Sequence, residues 1–302
     1  MSLRHIVDAL GGDLYDGGRR ASVPGPGHSA GDRSVSLLLQ GGRVVVNTFG
    51  RTAWTEVLDD LRERGLIDRD NAPIDGPGAR VAGRPSAPAP CGRERREAAR
   101  RLWDAGRPLG NTLAARHCRL RGLRGPLPGP EALRFHPDAP VSVYRAGRGR
   151  RPALLAGIFD AYGVFVAVEV TYLAPNARRA LDLHLPRKTI GAPPATGCAV
   201  RLDPAAEHML VGEGVFTTRS ASEWLGLPGW ALQSTRNLRG WRPPDGVRAL
   251  VIAADRGKDG EASAEVLRGR IVGLGLACSV VLPPEPFGDW NDWACRQAAV
   301  TV

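Results

Sequence analysis

Lysine is nearly missing from this 302-residue chain: Lys188 and Lys258 are its only two, so almost all of its positive charge is arginine. Cysteine is scarce as well. The five cysteines, at 91, 118, 198, 278 and 295, are odd in number and dispersed, without a Cys-x-x-Cys pair, which argues against a disulfide framework and a thiolate zinc site. His117 and Cys118 are adjacent, but neighbouring side chains seldom point at one metal. No apolar run is long enough to span a bilayer. Arg4 and His5 are not followed by an apolar stretch and a small-residue cleavage site, so no secretory signal and no membrane partner are expected, and a cytoplasmic location is. A Gly-x-x-x-x-Gly-Lys-Ser/Thr loop is also missing, which excludes a recognisable helicase ATPase.

What is present is charge in one place. The chain is 43% apolar, ordinary for a globular protein, and long enough for one large core or two to three smaller ones. Its net charge is +10, and the segment from Arg93 to Arg151 holds fifteen arginines against Glu94, Glu97, Asp104, Glu131 and Asp138. A GC-rich genome would explain arginine in place of lysine, but not the local surplus. Such a surplus is the electrostatic footprint of phosphate-backbone binding. The candidate nucleic-acid contacts are Arg95, Arg96, Arg100, Arg134, Lys188 and Trp241, the last chosen among the tryptophans for its basic neighbours Arg239 and Arg242. Trp224, Trp230, Trp290 and Trp293 are read mainly as core or interface residues. Lys188 reads equally well as a solvated strand-end charge.

Along the chain, 34–39 and 43–48 read as a hairpin turning at Gly41-Gly42, followed by a helix over 53–64 with Trp54, Val57, Leu58 and Leu61 at helical spacing. Residues 72–92, rich in Pro and Gly, read as a flexible linker. A basic helix over 93–116 has Ala98, Ala99, Leu102 and Trp103 as its inner face and breaks at Pro108 and Gly110. Residues 154–159, 164–171 and 188–190 read as antiparallel strands. From 206 onward strands and helices alternate: strand 208–212, helix 216–225, strand 230–233, strand 248–254, helix 260–274, strand 277–282 and a last helix after Asn291. That order implies a mostly parallel sheet with helices over it. In helix 260–274, Ala264, Leu267, Ile271 and Leu274 form the buried stripe.

Three acidic clusters fall at the ends of these elements: Glu213-Gly214, Asp255 and Asp289-Trp290-Asn291-Asp292. Ligands of open α/β sheets collect beyond the carboxyl ends of the strands, and carboxylates gathered there suit a hard cation such as Mg²⁺ or Mn²⁺. A lone acid at a strand end is more often a helix cap, but three clusters favour a site. Glu213 is the candidate catalytic acid or base, and Glu213, Asp255, Asp289 and Asp292 are the candidate metal ligands.

This set of motifs resembles the Toprim domain of bacterial-type primases, with Asp-Trp-Asn-Asp similar to primase-like proteins of phages and mobile elements. One position departs: Gly257 stands where the resemblance expects a second aspartate after Asp255, with Asp259 two residues on. The resemblance implies an α/β Toprim domain over 206–302. Before it come a basic mixed α+β core over 93–205, the linker 72–92, and a degenerate zinc-ribbon-like module over 1–71. In that module Gly25-Pro26-Gly27-His28 and Thr48-Phe49-Gly50-Arg51 occupy the ligand positions, leaving a single donor where four are needed, so no zinc is expected. An unrelated hairpin module is the alternative.

The activity implied is metal-dependent primer synthesis on single-stranded DNA from nucleoside triphosphates in DNA replication or transfer. A replicative helicase or polymerase is a candidate partner. The alternatives are a non-catalytic DNA-binding scaffold and a Toprim nuclease. A topoisomerase fits least, since none of Tyr15, Tyr144, Tyr162 and Tyr172 lies in an obvious strand-passage domain.

Overall fold

The computed structural model describes residues 2–29, 31–48, 53–74, 90–144, 149–183 and 185–300. These fall into two compact units, 1–89 and 90–302. No helix among the described residues is long and apolar enough to cross a membrane.

The first unit contains α1 (Arg4–Leu10), β1 (Asp13–Tyr15), β2 (Arg20–Val23), β3 (Val35–Gln40), β4 (Arg43–Thr48) and α2 (Trp54–Glu63). Its strands form one antiparallel sheet in chain order. The expected hairpin is β3 and β4, with Gln40 paired to Arg43 across Gly41 and Gly42 at φ +58° and +79°. Two successive residues at positive φ are what a two-residue turn of this hand demands. The strands β1 and β2 and the helix α1 extend the hairpin beyond the sequence expectation. Leu3, Ile6, Val35, Leu37, Val57, Leu58 and Leu61 form the core. Trp54 is not part of it. It sits at the first position of α2, where it is 57% exposed, one turn before the buried stripe begins. His28 lies in a turn, its Nδ1 2.8 Å from Asp32 Oδ2. The Ser34 hydroxyl and the Gly25 amide hold the Asp32 carboxyl well below its usual range. Phe49, Gly50 and Arg51, and most of the expected linker, lie outside the described residues.

The second unit begins with α3 (Gly92–Asp104) and α4 (Leu113–Leu120), then a four-stranded antiparallel sheet of β5 (Leu133–Pro140), β6 (Arg150–Phe159), β7 (Phe165–Tyr172) and β8 (Arg187–Gly191) in that order. The stretch 133–140, read from sequence without a strand assignment, is an edge strand of this sheet. Alternation along the strands splits the two faces. Ala153, Leu155, Val168, Val170, Tyr172 and Ile190 pack with Ala99, Leu102 and Trp103 of α3, while Leu154, Ala156, Ile158 and Ala167 pack with Ala114 and Cys118 of α4. The sheet is thus sandwiched between the arginine-rich α3 and the remainder of the unit.

The chain continues through β9 (Val200–Arg201), β10 (His208–Gly212), α5 (Val215–Leu225), β11 (Gly229–Ala231), α6 (Thr235–Gly240), β12 (Ala249–Ala253), α7 (Lys258–Gly273), β13 (Ala277–Val281) and α8 (Trp290–Val300). The sheet order is β13-β12-β10-β11-β9, parallel except for β9. This is the α/β architecture expected. Helices α6 and α7 cover one face through Leu238, Trp241, Leu267 and Ile271, and α5 and α8 cover the other through Ala221, Trp290 and Trp293. Leu274 caps the C-terminus of α7 and is 49% exposed, so the buried stripe ends at Ile271.

Candidate active site

The chain leaves β10 toward β11 on one side, then returns across β10 to β12 on the other, so β10 and β12 flank the switch point of the sheet. Their ends are in register, Gly212 opposite Ala253, which sets Glu213 and Asp255 side by side at the carboxyl edge. Gly212 has to be glycine: a Cβ there would stand 2.7 Å from Thr218 Oγ1. The third cluster is drawn in by backbone bonds, Arg256 N–H to Gly288 O at 2.7 Å and Ala254 N–H to Val281 O at 3.0 Å. The Arg256 guanidinium adds two bonds to Pro283 O.

The acids repel one another there. Burial, then the charges of Asp289, Glu213 and Asp292, push the Asp255 carboxyl up to about 7, and its Oδ1 is buried without a hydrogen-bond partner. Burial and the Asp259 charge also raise Glu213, with Arg187 pulling back. An orphaned, like-charge-crowded carboxylate oxygen fits a hard cation, whose charge would relieve both problems. Among the described residues no group of three or more His, Cys, Asp or Glu side chains is arranged to hold a metal ion. Mg²⁺ commonly takes only one or two carboxylates and completes its shell with water and substrate oxygens.

The metal candidates differ in setting. Asp289 Oδ1 accepts the Asp292 N–H at 2.7 Å and so caps α8, and Asp289 also lines the cleft. Asp292 is exposed. Gly257 sits at φ +118° and ψ 158°, a conformation nearly exclusive to glycine, so the aspartate that the resemblance expects would be strained there. The Asp259 carboxylate pairs with Arg239, and its charge still reaches Glu213.

Arg121, Arg179, Arg187, Glu169, Thr171 and Gln233 line, with these acids, a cleft of about 240 Å³. Arg179 Nε and Gln233 Nε2 are buried donors without partners. Arg121 follows α4 and bonds through Nε to Asn291 Oδ1 at 2.5 Å, while its guanidinium lies 4.8 Å from the Phe216 ring centre. Glu169 Oε2 is 3.9 Å from Arg187 Nε. The result is a small cavity lined by both carboxylates and guanidinium groups, a donor set that complements a cation bound to phosphate oxygens.

Several nominated nucleic-acid contacts have other employment. Trp241 is 2% exposed, packed against Trp230 at 6.2 Å in the core beneath α6 and α7, and so offers no stacking face. Its three-residue spacing from buried Leu238 was the sequence sign of this. Arg134 donates to Pro130 O and Trp103 O and lies over the Trp103 ring. Lys188 points to the α3 side of the sheet, bonded to Val141 O and 5.3 Å from the Tyr172 ring. Alternation puts the preceding residue, Arg187, in the cleft instead. Arg95, Arg96 and Arg100 are exposed on α3, across the sheet from the acids. Sequence reading missed Arg121, Arg179, Arg187, Glu169 and Gln233. Strand alternation could have exposed Arg187 and Glu169, but no local signal marks the other three.

Residues 208–299 match the Toprim domain family, and residues 93–202 match a domain of unknown function, DUF7146. Residues 208–299 thus carry a Toprim-type domain. Among solved structures it is similar to bacterial and phage primases. The zinc-binding and RNA polymerase domains of the Aquifex aeolicus primase share 13% identity with it, over 99% of this chain and 80% of that one, at a TM-score of 0.45. The E. coli primase catalytic core shares 11%, over 68% and 77%, at 0.42. The primase fragment of the bacteriophage T7 primase-helicase shares 16%, over 50% and 60%, at 0.35. No curated protein matches the chain in sequence.

Proposed function

We propose that the cleft performs divalent-metal-dependent nucleotidyl transfer, joining nucleoside triphosphates into a primer on single-stranded DNA. The observation that carries this reading is Asp255, whose buried Oδ1 has no partner while Glu213 and Asp289 crowd it in a cleft that three arginines also line. Asp255 and Asp289 would hold the cation, with Glu213 and Asp292 beside them. A cation bound there supplies charge neutralisation at the transferring phosphoryl group and its leaving oxygen. The residues of the chain do the rest. Arg121, Arg179 and Arg187 bind and orient the phosphates, and the unpartnered Arg179 Nε and Gln233 Nε2 provide hydrogen bonds to their oxygens. Glu213, whose carboxyl is raised by burial and the Asp259 charge, would accept a proton from the attacking hydroxyl. The exposed arginines of α3 would hold the template backbone by charge.

One observation favours a second reading, a DNA-binding scaffold without catalysis. The glycine-only backbone at Gly257 and the pairing of Asp259 with Arg239 leave Asp255 as the one carboxylate of the second acidic motif that lines the cleft. The experiment is primer synthesis on single-stranded DNA with labelled nucleotides and Mg²⁺ or Mn²⁺, comparing the natural chain with Glu213→Gln and scoring template nicking in the same tubes. Metal-dependent oligonucleotides lost in the variant support the proposal. Nicking alone makes it a nuclease. Neither product, with DNA binding retained, makes it a scaffold.

A further inference from the structure

Glu169 is the cleft acid that does not come from the parallel sheet. It projects from β7 in a domain with a large arginine surplus, its side chain is 15% exposed, and its Oε2 lies 3.9 Å from Arg187 Nε. On the same face of β7 its neighbours two residues away are Ala167 and Thr171, and the charges that act on it are Arg187 and Arg179. Burying a carboxylate there has a desolvation cost that Arg187 and Arg179 only partly offset, and burial is the largest influence on its carboxyl, which it raises. With it, the cleft holds four carboxylates, Glu169, Glu213, Asp255 and Asp289, against three guanidinium groups, Arg121, Arg179 and Arg187. The lining residues, all ionised, are therefore one negative charge out of balance, Asp292 and Asp259 add to the negative field at Asp255 and Glu213, and an incoming polyphosphate alone meets net repulsion. A divalent cation offsets that excess. Removing Glu169 lowers it by one charge.

We propose that Glu169 is a specificity-determining residue that makes polyphosphate binding conditional on the divalent cation, by adding one negative charge beside the arginines that the free anion needs. The role rests on the reading of the cleft as a site for a cation and a nucleotide. It makes Glu169 a positioning residue, since it acts through Arg187 and the field of the cleft and touches no reacting atom. Metal-free triphosphate is thereby refused, while the metal complex finds Arg187 and Arg179 already in place.

The test is calorimetric binding of inorganic tripolyphosphate to the full chain at pH 8.5, with Mg²⁺ or with EDTA, for the natural protein, Glu169→Gln and Glu169→Asp. The natural protein should bind with Mg²⁺ and bind at least tenfold more weakly in EDTA. Glu169→Gln should gain about tenfold in EDTA, the effect of removing one charge at this range in a partly shielded cleft. Glu169→Asp, which keeps the charge and shortens the side chain, should behave as the natural protein does. Binding with Mg²⁺ but no gain for Glu169→Gln in EDTA overturns the role of Glu169 and leaves the cleft reading standing. No binding by the natural protein under either condition overturns both. Should Glu169→Gln not fold, Glu169→Ala reads the same charge loss, and failure of both neutral variants to fold would mark the Arg187 pair as structural and overturn the proposal.

Discussion

Asn291 accepts the Arg121 Nε–H at 2.5 Å and returns its own amide to Arg121 O at 2.6 Å, so one fully buried side chain of the Asp-Trp-Asn-Asp motif fastens the basic segment to the Toprim helix α8. Its amide also reaches Ser220 Oγ on α5 at 3.0 Å. The asparagine between two candidate metal ligands thus holds a cleft arginine in place. Replacing Asn291 with Ala leaves an arginine nitrogen, a carbonyl and a hydroxyl without partners. We expect a loss of about 2–4 kcal/mol, read by urea denaturation, and a weaker hold on phosphate from the freed Arg121.

Gly257 starts α7 at φ +118°, and its N–H bonds to Glu261 Oε1 at 3.0 Å. No atom lies within 4 Å of the place a Cβ would take, so the constraint is the backbone and not space. Gly257→Ala and Gly257→Asp should each cost about 1–3 kcal/mol, and by similar amounts, measured by thermal melting in EDTA. An aspartate markedly better tolerated than alanine would mean that the loop can present a second carboxylate.

The architecture was largely legible in the sequence because its signals are local. Apolar strands such as Met209–Val211 and Leu250–Ala253 and the stripe Ala264, Leu267, Ile271 leave one parallel arrangement that buries them. The acidic half of the site was legible for the same reason: Glu213 and Asp255 end adjacent strands. The basic half was not. Arg121, Arg179 and Arg187 reach the cleft from a helix end, a loop and a strand, through tertiary packing that no spacing announces. Lys188, a candidate nucleic-acid contact, lies on the α3 face, while Arg187, one position before it and so on the opposite face of the strand, lines the cleft. Trp241 failed because basic sequence neighbours say little about a side chain that helix packing buries.

The crowding of Asp255 predicts a pH dependence of stability in the metal-free protein. Its carboxyl is raised from 3.8 to about 7 on folding, so the folded state holds that proton more tightly than the unfolded chain does. The associated stability is present in full below the unfolded value and is lost as pH rises through about 7. Asp255→Asn escapes the loss. In EDTA the variant should match the natural protein near pH 4 and exceed it by about 2 kcal/mol near pH 8.5, a figure reduced for partial exposure. Adding Mg²⁺ at pH 8.5 should stabilise the natural protein and not the variant. A flat difference between the two across this range would mean that the carboxyl is not crowded in the folded state.

The four-stranded sheet separates two sets of arginines, and the separation can be measured. Arg95, Arg96 and Arg100 lie on α3 over one face, and Arg187, paired with Thr171 on β8, opens to the cleft on the other. If α3 holds the DNA backbone, changing those three arginines to glutamine should weaken single-stranded DNA binding uniformly across sequences. The slope of log affinity against log salt should flatten by about 2, since each lost phosphate contact removes roughly 0.7 from it. Tripolyphosphate binding with Mg²⁺ should not change. Arg187→Gln should do the reverse, weakening tripolyphosphate about tenfold, the worth of one charged contact near 1.4 kcal/mol, while leaving the DNA salt slope within about 0.7 of its value. If the α3 changes weakened tripolyphosphate as much as DNA, the two surfaces would be coupled through the sheet. A salt slope that did not move at all would take α3 out of the nucleic-acid interface and leave its arginines as a solvated helix face.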